Sequence, residues 1–439
     1  MNTLIKNVSF QEWISSWNSR KITTPEHSTN YLDQLRTNAV DHIAALNFPS
    51  TRDEEWRFTD ITPLKHTAFK RPSAATELTA SDLTQYFIDE SVIRIVFVDG
   101  QYMPGLSSIA AQHGVTIDSL SKLVATDISA VTQHLGQIAE YHDNAFVTLN
   151  TAFMQEGVGI VISENIEVSA PIHVLFVATQ QGVTACPRCL LVAGTGSRIT
   201  LVEEYLALTD TDCAYTTNAV IEVQLADSAN VNHIRLQRES REAFHIANTS
   251  VQIAHAASYQ SISIALGAQI SRFDQHISLA DQHAQCSVDG LTLISDQQLA
   301  DTHTWIDHIK PQATSRQLHK CIADDSAHAV FSGKIIVRPD AQQTDARQMN
   351  RNLLLSGKAC IDTKPQLEIF ADDVKCSHGA TVGQLDEDAL FYLQSRGLNL
   401  TSARNLLTYA FGAEVINFIP VDSVKQQLAD LILAKTRIH

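Results

Sequence analysis

The stretch SVQIAHAASYQSISIAL at residues 250–266 contains the pattern that decides the fold of this chain. Val251 and Ile253 alternate with polar residues, and Ile262 and Ile264 do so again after a short break. An alternation of period two is typical of a β-strand. Helical spacing of the apolar residues is weak over the same stretch, so two short strands are predicted here.

The same pattern of short apolar runs extends well beyond this stretch. It begins near Asn144 and continues to Pro339, through FVTLNTAFMQEGVGIVISENIEVSAPIHVLFVAT, SRITLVEEYLAL, ANVNHIRLQRES and FSGKIIVRP. Many short strands with turn signals favour a sandwich, a barrel or a β-helix. Inward positions rich in Ala, Ser, Ile and Val fit the narrow interior of a β-solenoid. No fixed repeat length is apparent, so periodicity alone leaves the three folds open.

Helical patterns dominate the first third of the chain. FQEWISSWNSR (10–20) has its apolar residues at helical spacing, and a second helix is predicted after Pro25. VIRIVFVDGQYMP (92–104) instead predicts a strand that ends in a tight turn at Asp99-Gly100. This region is therefore α-rich, with one small segment of strand and turn.

Helical patterns return at the other end of the chain. Asp386 is a good N-cap for a first helix, which Gly397 ends. Thr401 can cap a second helix, and Asp422 or Ser423 begins a third. The predicted division is an α-rich region with a small strand and turn (1–145), a β-rich core (146–383) and a helical region (384–439).

Composition and charge exclude several classes of protein. A formal net charge of −16 argues against a surface for nucleic acid or anionic membranes, both of which require patches of Lys and Arg. The chain has no run of 18 apolar residues for a membrane span, and MNTLIKNVSFQEWISSW lacks the pattern of a secretory signal. Seven cysteines, an odd number, are scattered along it. We therefore expect a cytoplasmic protein with reduced thiols that binds neither membrane nor nucleic acid.

Motifs for nucleotide hydrolysis and for a zinc site are missing or incomplete. The sequence has no G-x-x-x-x-G-K-[ST], so any ATP dependence would come from a partner. Cys186 and Cys189 form a C-x-x-C without a second pair, and we interpret them as two thiols with no shared ligand. Nine of the 18 histidines lie between residues 233 and 328 at irregular spacing. We interpret most of them as outward or stacked side chains, with Cys321 close to His319 as a weak candidate site.

The best site candidates are Cys376 and His378 in KCSHGATVG (375–383). On an extended chain, side chains two residues apart point to the same side. Thiolate and imidazole are both ligands for iron, copper or zinc. Two ligands do not complete a tetrahedral site, so another subunit would have to supply the rest. Glu368 and Asp372 are weaker ligand candidates, and a buried cysteine beside a histidine hydrogen-bonded in a turn is the alternative.

Longer motifs around this pair resemble a known family. TDARQMNRNLLLSGKACIDTKPQLEI (344–369) and DDVKCSHGATVGQLDEDALFYLQSRGL (372–398) resemble the C-terminal region of the SufB/SufD family, and the KCSHGATVG run resembles its SufD branch. FPSTRDEEWRFTDITPL (48–64) is similar to the N-terminal signature of that group; the alternative is a loop whose Trp56 packs on a core. The resemblance implies a mainly β fold, with a right-handed parallel β-helix core between an N-terminal α-rich domain and a C-terminal helical domain.

The resemblance also implies a role in the SUF system. A SufD-like subunit would be a non-enzymatic scaffold of a cytoplasmic SufB–SufC–SufD complex, with Cys376 and His378 at its interface with SufB. There it would support iron acquisition and de novo Fe–S cluster assembly. Iron and the nascent cluster would be held transiently, with no cofactor bound stably by the chain alone. A reduced flavin (FADH2) in the complex and a homodimer of the isolated chain are left open.

The closing helices would bind SufC, the ATPase subunit, so that ATP-driven movement of SufC could open or close the interface. The residues expected to contact SufC are Asp386, Phe391, Tyr392, Arg396, Leu406 and Tyr409. One alternative is a SufB-like scaffold that holds the nascent cluster itself, for which Cys360 and Cys376 are a thin set. A second is a β-helix enzyme acting on polysaccharides, a role that the fold would permit.

Overall fold

The computed structural model of the chain describes residues 30–43, 46–65, 70–73, 78–139, 144–208 and 214–436. The predicted helix over residues 10–20 lies outside these ranges. Strands account for 43% of the chain and helices for 23%, so the fold is mainly β, as predicted. Within the described ranges, every helix is too short or too polar to span a bilayer.

Helices lie towards both ends of the chain and most strands between them. The helices are α1 (Asn30–Ile43), α2 (Thr62–Lys65), α3 (Ala80–Leu83), α4 (Leu120–Ala125), α5 (Ser129–His134), α6 (Ala145–Phe153), α7 (Glu387–Ser395), α8 (Leu400–Ile416) and α9 (Asp422–Thr436), with 3-10 turns at Glu54–Trp56 and Thr84–Tyr86. The strands are β1 (Ile93–Val98), β2 (Gln101–Tyr102), β3 (Ser108–Ile109), β4 (Val115–Ser119), β5 (Gly157–Ile162), β6 (Ile172–Ala178), β7 (Thr184–Ala185), β8 (Arg188–Ala193), β9 (Arg198–Ala207), β10 (Thr216–Leu225), β11 (Asn230–Gln237), β12 (Phe244–Ile253), β13 (Ser258–Ala265), β14 (Ile270–Leu279), β15 (Gln285–Ile294), β16 (Leu299–His308), β17 (Thr314–Ala323), β18 (His328–Val337), β19 (Asp345–Leu354), β20 (Cys360–Ile369) and β21 (Lys375–Gly383).

The strands form two sheets along a single winding path. Sheet 1 contains β1, β6 and the odd-numbered strands from β9 to β21, and sheet 2 contains β5 and the even-numbered strands from β8 to β20. Neighbours among these strands are parallel, whereas the short β2, β3 and β4 add antiparallel at the start. The chain therefore winds through the two sheets in turn, as a parallel β-solenoid of about eight turns. The predicted parallel β-helix core is confirmed, and its first strand, β1, comes from the region before residue 145.

The coils differ in length, which explains why no repeat is visible in the sequence. Phe244 pairs with Ile270, 26 residues later, whereas His328 pairs with Cys360, 32 residues later. Several corners also pass through a residue with positive φ that is not glycine, such as Ala256 at 52°. These corners lack the glycine and proline signals on which turn prediction depends.

In-register pairing aligns the side chains of successive coils in columns that run along the solenoid. One inward column of sheet 2 consists of Val223, Val251, Ile277, Ile306 and Ile335, all nearly inaccessible to solvent. Burial of apolar surface at about 25 cal/mol per Å² ties each coil to its neighbours. The interior of the solenoid is therefore a continuous core.

Helices cover the outward faces of both sheets. α1 and the helices from α4 to α6 pack with outward side chains of sheet 2, such as Val220 and Ile246. α8 and α9 pack on sheet 1, where Ile262 and Ile264 share an apolar cluster with Val424. Each sheet is thus buried on two faces where helices pack on it, whereas outward residues near the last coil, such as Met349 and Cys360, are exposed.

Local predictions at the two ends of the chain are largely confirmed. β1 and β2 meet at Asp99-Gly100, where both residues have positive φ, as a tight hairpin turn requires. Asp386 is the N-cap of α7, and Gly397, with a φ of 98°, follows its end. α8 begins earlier than predicted, because Asn399 rather than Thr401 is its N-cap.

Candidate functional site

The two ends of the solenoid differ in how their edge strands are covered. Antiparallel β2, β3 and β4 add to the strands of the first coil, whereas β20 and β21 are the last strands of their sheets and pair on one side only. Pro365 in the middle of β20 fits an edge strand, since proline lacks the N–H that a central strand uses. The large apolar side chains exposed on these strands and next to them are Met349, Ile369, Phe370 and Val382. We call β20, β21 and these four residues the open end; an edge-to-edge partner would complete it.

Cys376 and His378 lie in β21 at the mouth of the solenoid interior. Their register partners in β19 are Ala346 and Gln348, both buried. Aligned residues of parallel strands face the same way, so Cys376 and His378 share the inward face, as their spacing predicts. Cys376 is half-buried and packs against the interior apolar cluster, whereas His378 is exposed because no further coil covers it.

The surroundings of Cys376 keep its sulfur protonated. Partial burial raises the pKa of the thiol, a backbone hydrogen bond at Ala346 opposes this rise, and the Asp345 carboxylate adds to it. At neutral pH the side chain is therefore a thiol. A bound cation would be needed to draw off the proton, because only the thiolate is a good metal ligand.

The two weaker ligand candidates lie apart from this pair. Glu368 follows the inward Leu367 and points outward, where it forms an ion pair with Lys334 at 2.6 Å. Asp372 is exposed in the turn between β20 and β21. Among the described residues, neither joins Cys376 and His378 in a cluster of three ligands. The chain brings two ligands to this place, which is half of what a tetrahedral metal site needs.

The closing helices present an apolar surface of their own. Phe391 and Tyr392 in α7 are 74% and 56% exposed, and Leu406 in α8 is 43% exposed. The Arg396 guanidinium lies over the Tyr392 ring, 5.2 Å from its centroid. α7 itself buries a single side chain, Leu390. We call Phe391, Tyr392, Arg396 and Leu406 the docking surface.

The other two residues expected to contact SufC have structural roles. Oδ1 of Asp386 accepts hydrogen bonds from the backbone N–H groups of Asp388, at 2.8 Å, and Ala389, at 3.3 Å. Tyr409 is half-buried against the apolar cluster between sheet 1 and the closing helices. Both residues fix the helices that carry the docking surface.

Comparison with known proteins places these features in a family. Residues 176–411 match the family model described as SUF system FeS cluster assembly, SufBD core domain, and residues 8–174 match the SufBD protein N-terminal region. The chain belongs to the SufBD family. It is 38% identical to an iron–sulfur cluster assembly SufBD family protein of Synechocystis sp., over 91% of this chain and 90% of that protein. Identity is 30% to the iron–sulfur cluster assembly protein SufD of Escherichia coli, with 96% and 95% of the two chains covered, and 25% to SufD of Bacillus subtilis, with 97% and 98% covered.

In this member of the SufBD family, the N-terminal signature is fixed to the solenoid. The Arg272 guanidinium lies 4.1 Å from the centre of the Trp56 ring, and its Nη1 donates to the Glu55 carbonyl and to Asp301, both at 2.6 Å. His303 lies 3.0 Å from Asp301 and 3.2 Å from the Glu55 carboxylate. Trp56 thus packs on the core, which was the alternative interpretation of the signature. We call these five residues the clamp.

Four of the described cysteines of this SufBD protein are buried. They are Cys186, Cys189, Cys286 and Cys321, all free thiols. Burial raises the pKa of Cys286 and of Cys321 to about 12. These thiols are poor candidates for holding an exchangeable cluster, because only an accessible thiolate is a good metal ligand. The interpretation of Cys186 and Cys189 as two thiols without a shared ligand stays a prediction.

Sequence reasoning missed the apolar side chains of the open end. Met349 and Phe370 belong to no chemical motif. Met349 lies on the outward face of β19 beside Gly379, which has no side chain to cover it, and Phe370 directly follows β20, the last strand of its sheet. The sequence gives only an indirect signal that these side chains belong to the end of the solenoid. The β-pattern stops at Gly383 and a helix cap follows at Asp386, so strands just before this point belong to the last coil.

Proposed function

We propose that this chain is a SufD-type scaffold subunit, itself without catalytic activity, that supports Fe–S cluster assembly where its open end meets a SufB-type subunit. The observation that carries the proposal is the coincidence of three features at one place: unpaired strand edges, exposed apolar side chains, and the ligand pair Cys376 and His378. Membership of the SufBD family and the 30% identity to SufD of E. coli support it.

The physical chemistry of the open end favours a second β-solenoid as the partner. β20 and β21 each leave a row of backbone N–H and C=O groups that another strand can pair. Ile369, Phe370 and Val382 would leave water on such pairing. A partner with parallel edge strands would continue both sheets, so that the interiors of the two solenoids meet at Cys376 and His378.

A joint of this kind would complete the coordination that one chain leaves incomplete. Two ligands from this chain and two from the partner make the four that iron in an Fe–S cluster requires. Iron and the nascent cluster are then transient cargo of the joint. Separation of the two solenoids would leave each side with too few ligands and release the cluster.

The docking surface is proposed as the contact for SufC. Its exposed rings and aliphatic side chain, with the Arg396 cation beside them, suit a protein partner with apolar and acidic groups. Three residues, Gln384 to Asp386, join β21 to α7. Movement of an ATPase bound to α7 would therefore act directly on the last coil.

The variant His378→Ala, co-expressed with SufB and SufC, tests the ligand pair. The complex is expected to form as in the wild type, with less iron and acid-labile sulfide per complex, because one ligand at the joint is lost. Ser377→Ala is the matched control, since Ser377 lies next to His378 on the opposite face of β21. Equal iron and sulfide contents in the two variants would refute the role of His378.

Docking of SufC is tested by a point substitution in α7. Deleting α8 and α9 would uncover the apolar face of sheet 1, so loss of binding after truncation would not locate the contact. Phe391→Asp is expected to abolish co-purification with SufC, while Phe418→Asp, which changes another exposed phenylalanine of the helical region, is expected to retain it. Wild-type recovery of SufC with Phe391→Asp would place the contact elsewhere.

The SufB-like alternative predicts a different result for the isolated chain. Cys360 and Cys376 are the described cysteines that are not buried, and they begin different strands. We expect anaerobic reconstitution with iron and sulfide to leave no stable cluster on this chain alone. Persistent visible absorbance of a cluster after desalting would favour the SufB-like alternative. Binding of a reduced flavin by the assembled complex is left open, and the absorbance spectrum of the air-oxidised complex decides it.

A further inference from the structure

Three potential metal ligands meet on the outward face of sheet 2, away from Cys376 and His378. Cys360 begins β20, Asp362 follows two residues later on the same face, and His328 begins β18 directly beside Cys360. One donor atom of each lies within 4.8 Å of the other two. Across the part of the chain that the structure describes, no other three His, Cys, Asp or Glu side chains meet in this way.

The present geometry is close to that of a ligand set. His328 Nε2 is 2.7 Å from Asp362 Oδ2, and Cys360 Sγ is 3.9 Å from the same oxygen. With metal–N and metal–O bonds of about 2.0–2.2 Å and metal–S bonds of about 2.3 Å, the donor atoms of a tetrahedral site are about 3.3–3.7 Å apart. The two observed distances differ from these separations by about 1 Å or less. Side-chain rotations that move each donor atom by less than about 1 Å would therefore place the three atoms around one ion.

The backbone that carries these ligands is fixed at the start of β20. The Cys360 N–H donates to the Ala327 carbonyl at 3.0 Å, and the Ala359 N–H donates to Ser356 Oγ at 3.1 Å. Strands hold functional side chains more precisely than loops do. The relative positions of the three ligands therefore do not depend on ordering of a loop.

We propose that His328, Cys360 and Asp362 form a binding site for a divalent first-row transition metal of borderline softness, such as Zn²⁺ or Fe²⁺. Imidazole, thiolate and carboxylate are the donor types that Zn²⁺ takes, whereas Mg²⁺ and Ca²⁺ take oxygen ligands. Cys360 is exposed, and the His328 and Asp362 side chains are 28% and 34% exposed. The fourth position faces solvent, which is typical of exchangeable sites rather than closed structural ones.

This site is separate from the one proposed for cluster assembly. β20 has ten residues from Cys360 to Ile369, so its two ends are nine steps, or about 30 Å at about 3.3 Å per residue, apart. β21 begins only after the turn that follows Ile369. Cys360 also faces outward, whereas Cys376 faces the interior. The two proposals are independent, and either can fail without the other.

Titration of the purified full-length chain with Co²⁺, under reducing and metal-free conditions, tests the site. Co²⁺ takes the same ligands as Zn²⁺, and a thiolate bound to it gives an intense charge-transfer band in the near ultraviolet. The band is expected to saturate at one ion per chain and to disappear on addition of Zn²⁺. Cys360→Ser should abolish the band. His328→Gln and Asp362→Asn should each weaken Co²⁺ binding at least about tenfold, because even the loss of a residue that only hydrogen-bonds to a metal ligand costs about that much affinity.

Cys376→Ser is the matched control, because Cys376 is the other described cysteine that is not buried. The band should be unchanged in this variant. A wild-type chain that shows no band would overturn the proposal, as would a band that is lost in Cys376→Ser and kept in Cys360→Ser. Circular dichroism of each variant checks that the fold is retained, and a folded Cys360→Ser chain without the band supports the site.

Discussion

Raising the pH from about 6 to about 9.5 is expected to loosen the clamp that holds the N-terminal signature on the solenoid. Burial opposes the charged form of His303, but Asp301 and Glu55 outweigh it and raise the pKa of the imidazole from 6.5 to about 9. The pKa is thus higher in the folded chain than in the unfolded one. The stability that His303 contributes is therefore present in full below pH 6.5 and is lost as the pH rises through 9.

The size of this effect follows from the pKa of His303. A pKa raised from 6.5 to about 9 corresponds to about 3 kcal/mol in favour of the folded state at low pH. The side chain is 14% exposed, so solvent screens its contacts with Asp301 only weakly. Since a domain is stable by about 5–15 kcal/mol, a loss of this size is measurable.

Urea unfolding, followed by far-ultraviolet circular dichroism at each pH, measures the free energy of unfolding. Between about pH 6 and about pH 9.5, the free energy of unfolding of the wild type should fall by about 3 kcal/mol more than that of His303→Gln, whose glutamine side chain does not titrate. His308→Gln is the matched control: burial lowers the pKa of His308 to about 4, so this imidazole is neutral in the folded state throughout, and only the unfolded chain, with a pKa of 6.5, takes up a proton near pH 6. Its loss should therefore change the pH dependence by no more than about 1 kcal/mol, and in the direction opposite to the loss of His303. Parallel pH profiles for the wild type and His303→Gln would refute the reasoning.

Three further predictions concern other parts of the molecule. Arg188→Met leaves the Glu222 carboxylate buried without its partner at 2.6 Å, and urea unfolding should show a loss of about 3–5 kcal/mol; a loss below about 1 kcal/mol would contradict this. Asp386→Ala removes the cap of α7 and should cost about 1 kcal/mol of helix stability, seen as faster hydrogen exchange confined to α7. Maleimide labelling of the native chain, read by mass spectrometry, should modify Cys360 and Cys376 and spare the buried cysteines of the described residues; equal labelling of these would contradict the packing of the solenoid.

The strands were predictable from the sequence, but the face that each strand turns inward was not. Ile262 and Ile264 alternate as expected, yet they pack against the closing helices, while Tyr259 of the same strand lies in the interior. Both faces of this strand are buried, so the alternation gives the period of the strand without showing which face is inward. Only the packing of helices on the flanks decides which face is inside.

The same limit of prediction from sequence applies to the nine histidines between residues 233 and 328. Of the two placements expected, outward or stacked, His319 shows the second: it is buried and stacked on Phe331 with ring centroids 4.9 Å apart, and burial lowers its pKa to about 3. Cys321 is buried as well, so the weak candidate next to His319 is an interior pair without access to solvent. The irregular spacing of the histidines reflects coils of unequal length, and a sequence without a fixed period does not reveal which coil a residue belongs to.

The sequence predicts that Cys376 and His378 lie side by side, but it does not predict where in the fold this pair lies. The spacing of Cys376 and His378 puts both side chains on one face, and this local geometry holds in β21. Glu368 is close in sequence but lies across the solenoid corner, on the outward face of the other sheet. Nearness along the chain fails as a guide at every corner, because the chain passes there from one sheet to the other.

The interior of the solenoid becomes more polar toward the open end. Inward positions of the first two coils include Ile95 and Val174, which pair in register, whereas β19 places Gln348, Asn350 and Asn352 inside. The amide nitrogens have partners: Gln348 Nε2 donates to Gln317 Oε1 at 2.8 Å, and Asn350 Nδ2 donates to the His319 carbonyl at 3.0 Å. Among the described residues, however, the buried oxygens Gln348 Oε1 and Asn352 Oδ1 accept no hydrogen bond. A coil filled in this way gains less from apolar burial per residue than a coil filled with isoleucine and valine.

The last coil also has a neighbour on one side only, so it receives one set of stacking contacts where an internal coil receives two. It is therefore the part of the core that is least stable on its own and the part to which contact with another chain adds most. Cys376 and His378 lie on this same coil and need two further ligands to hold a metal. Incomplete packing and incomplete coordination thus occur at one place for one reason: among the described residues, no element caps the last coil. A single partner surface would supply both the stacking contacts and the ligands.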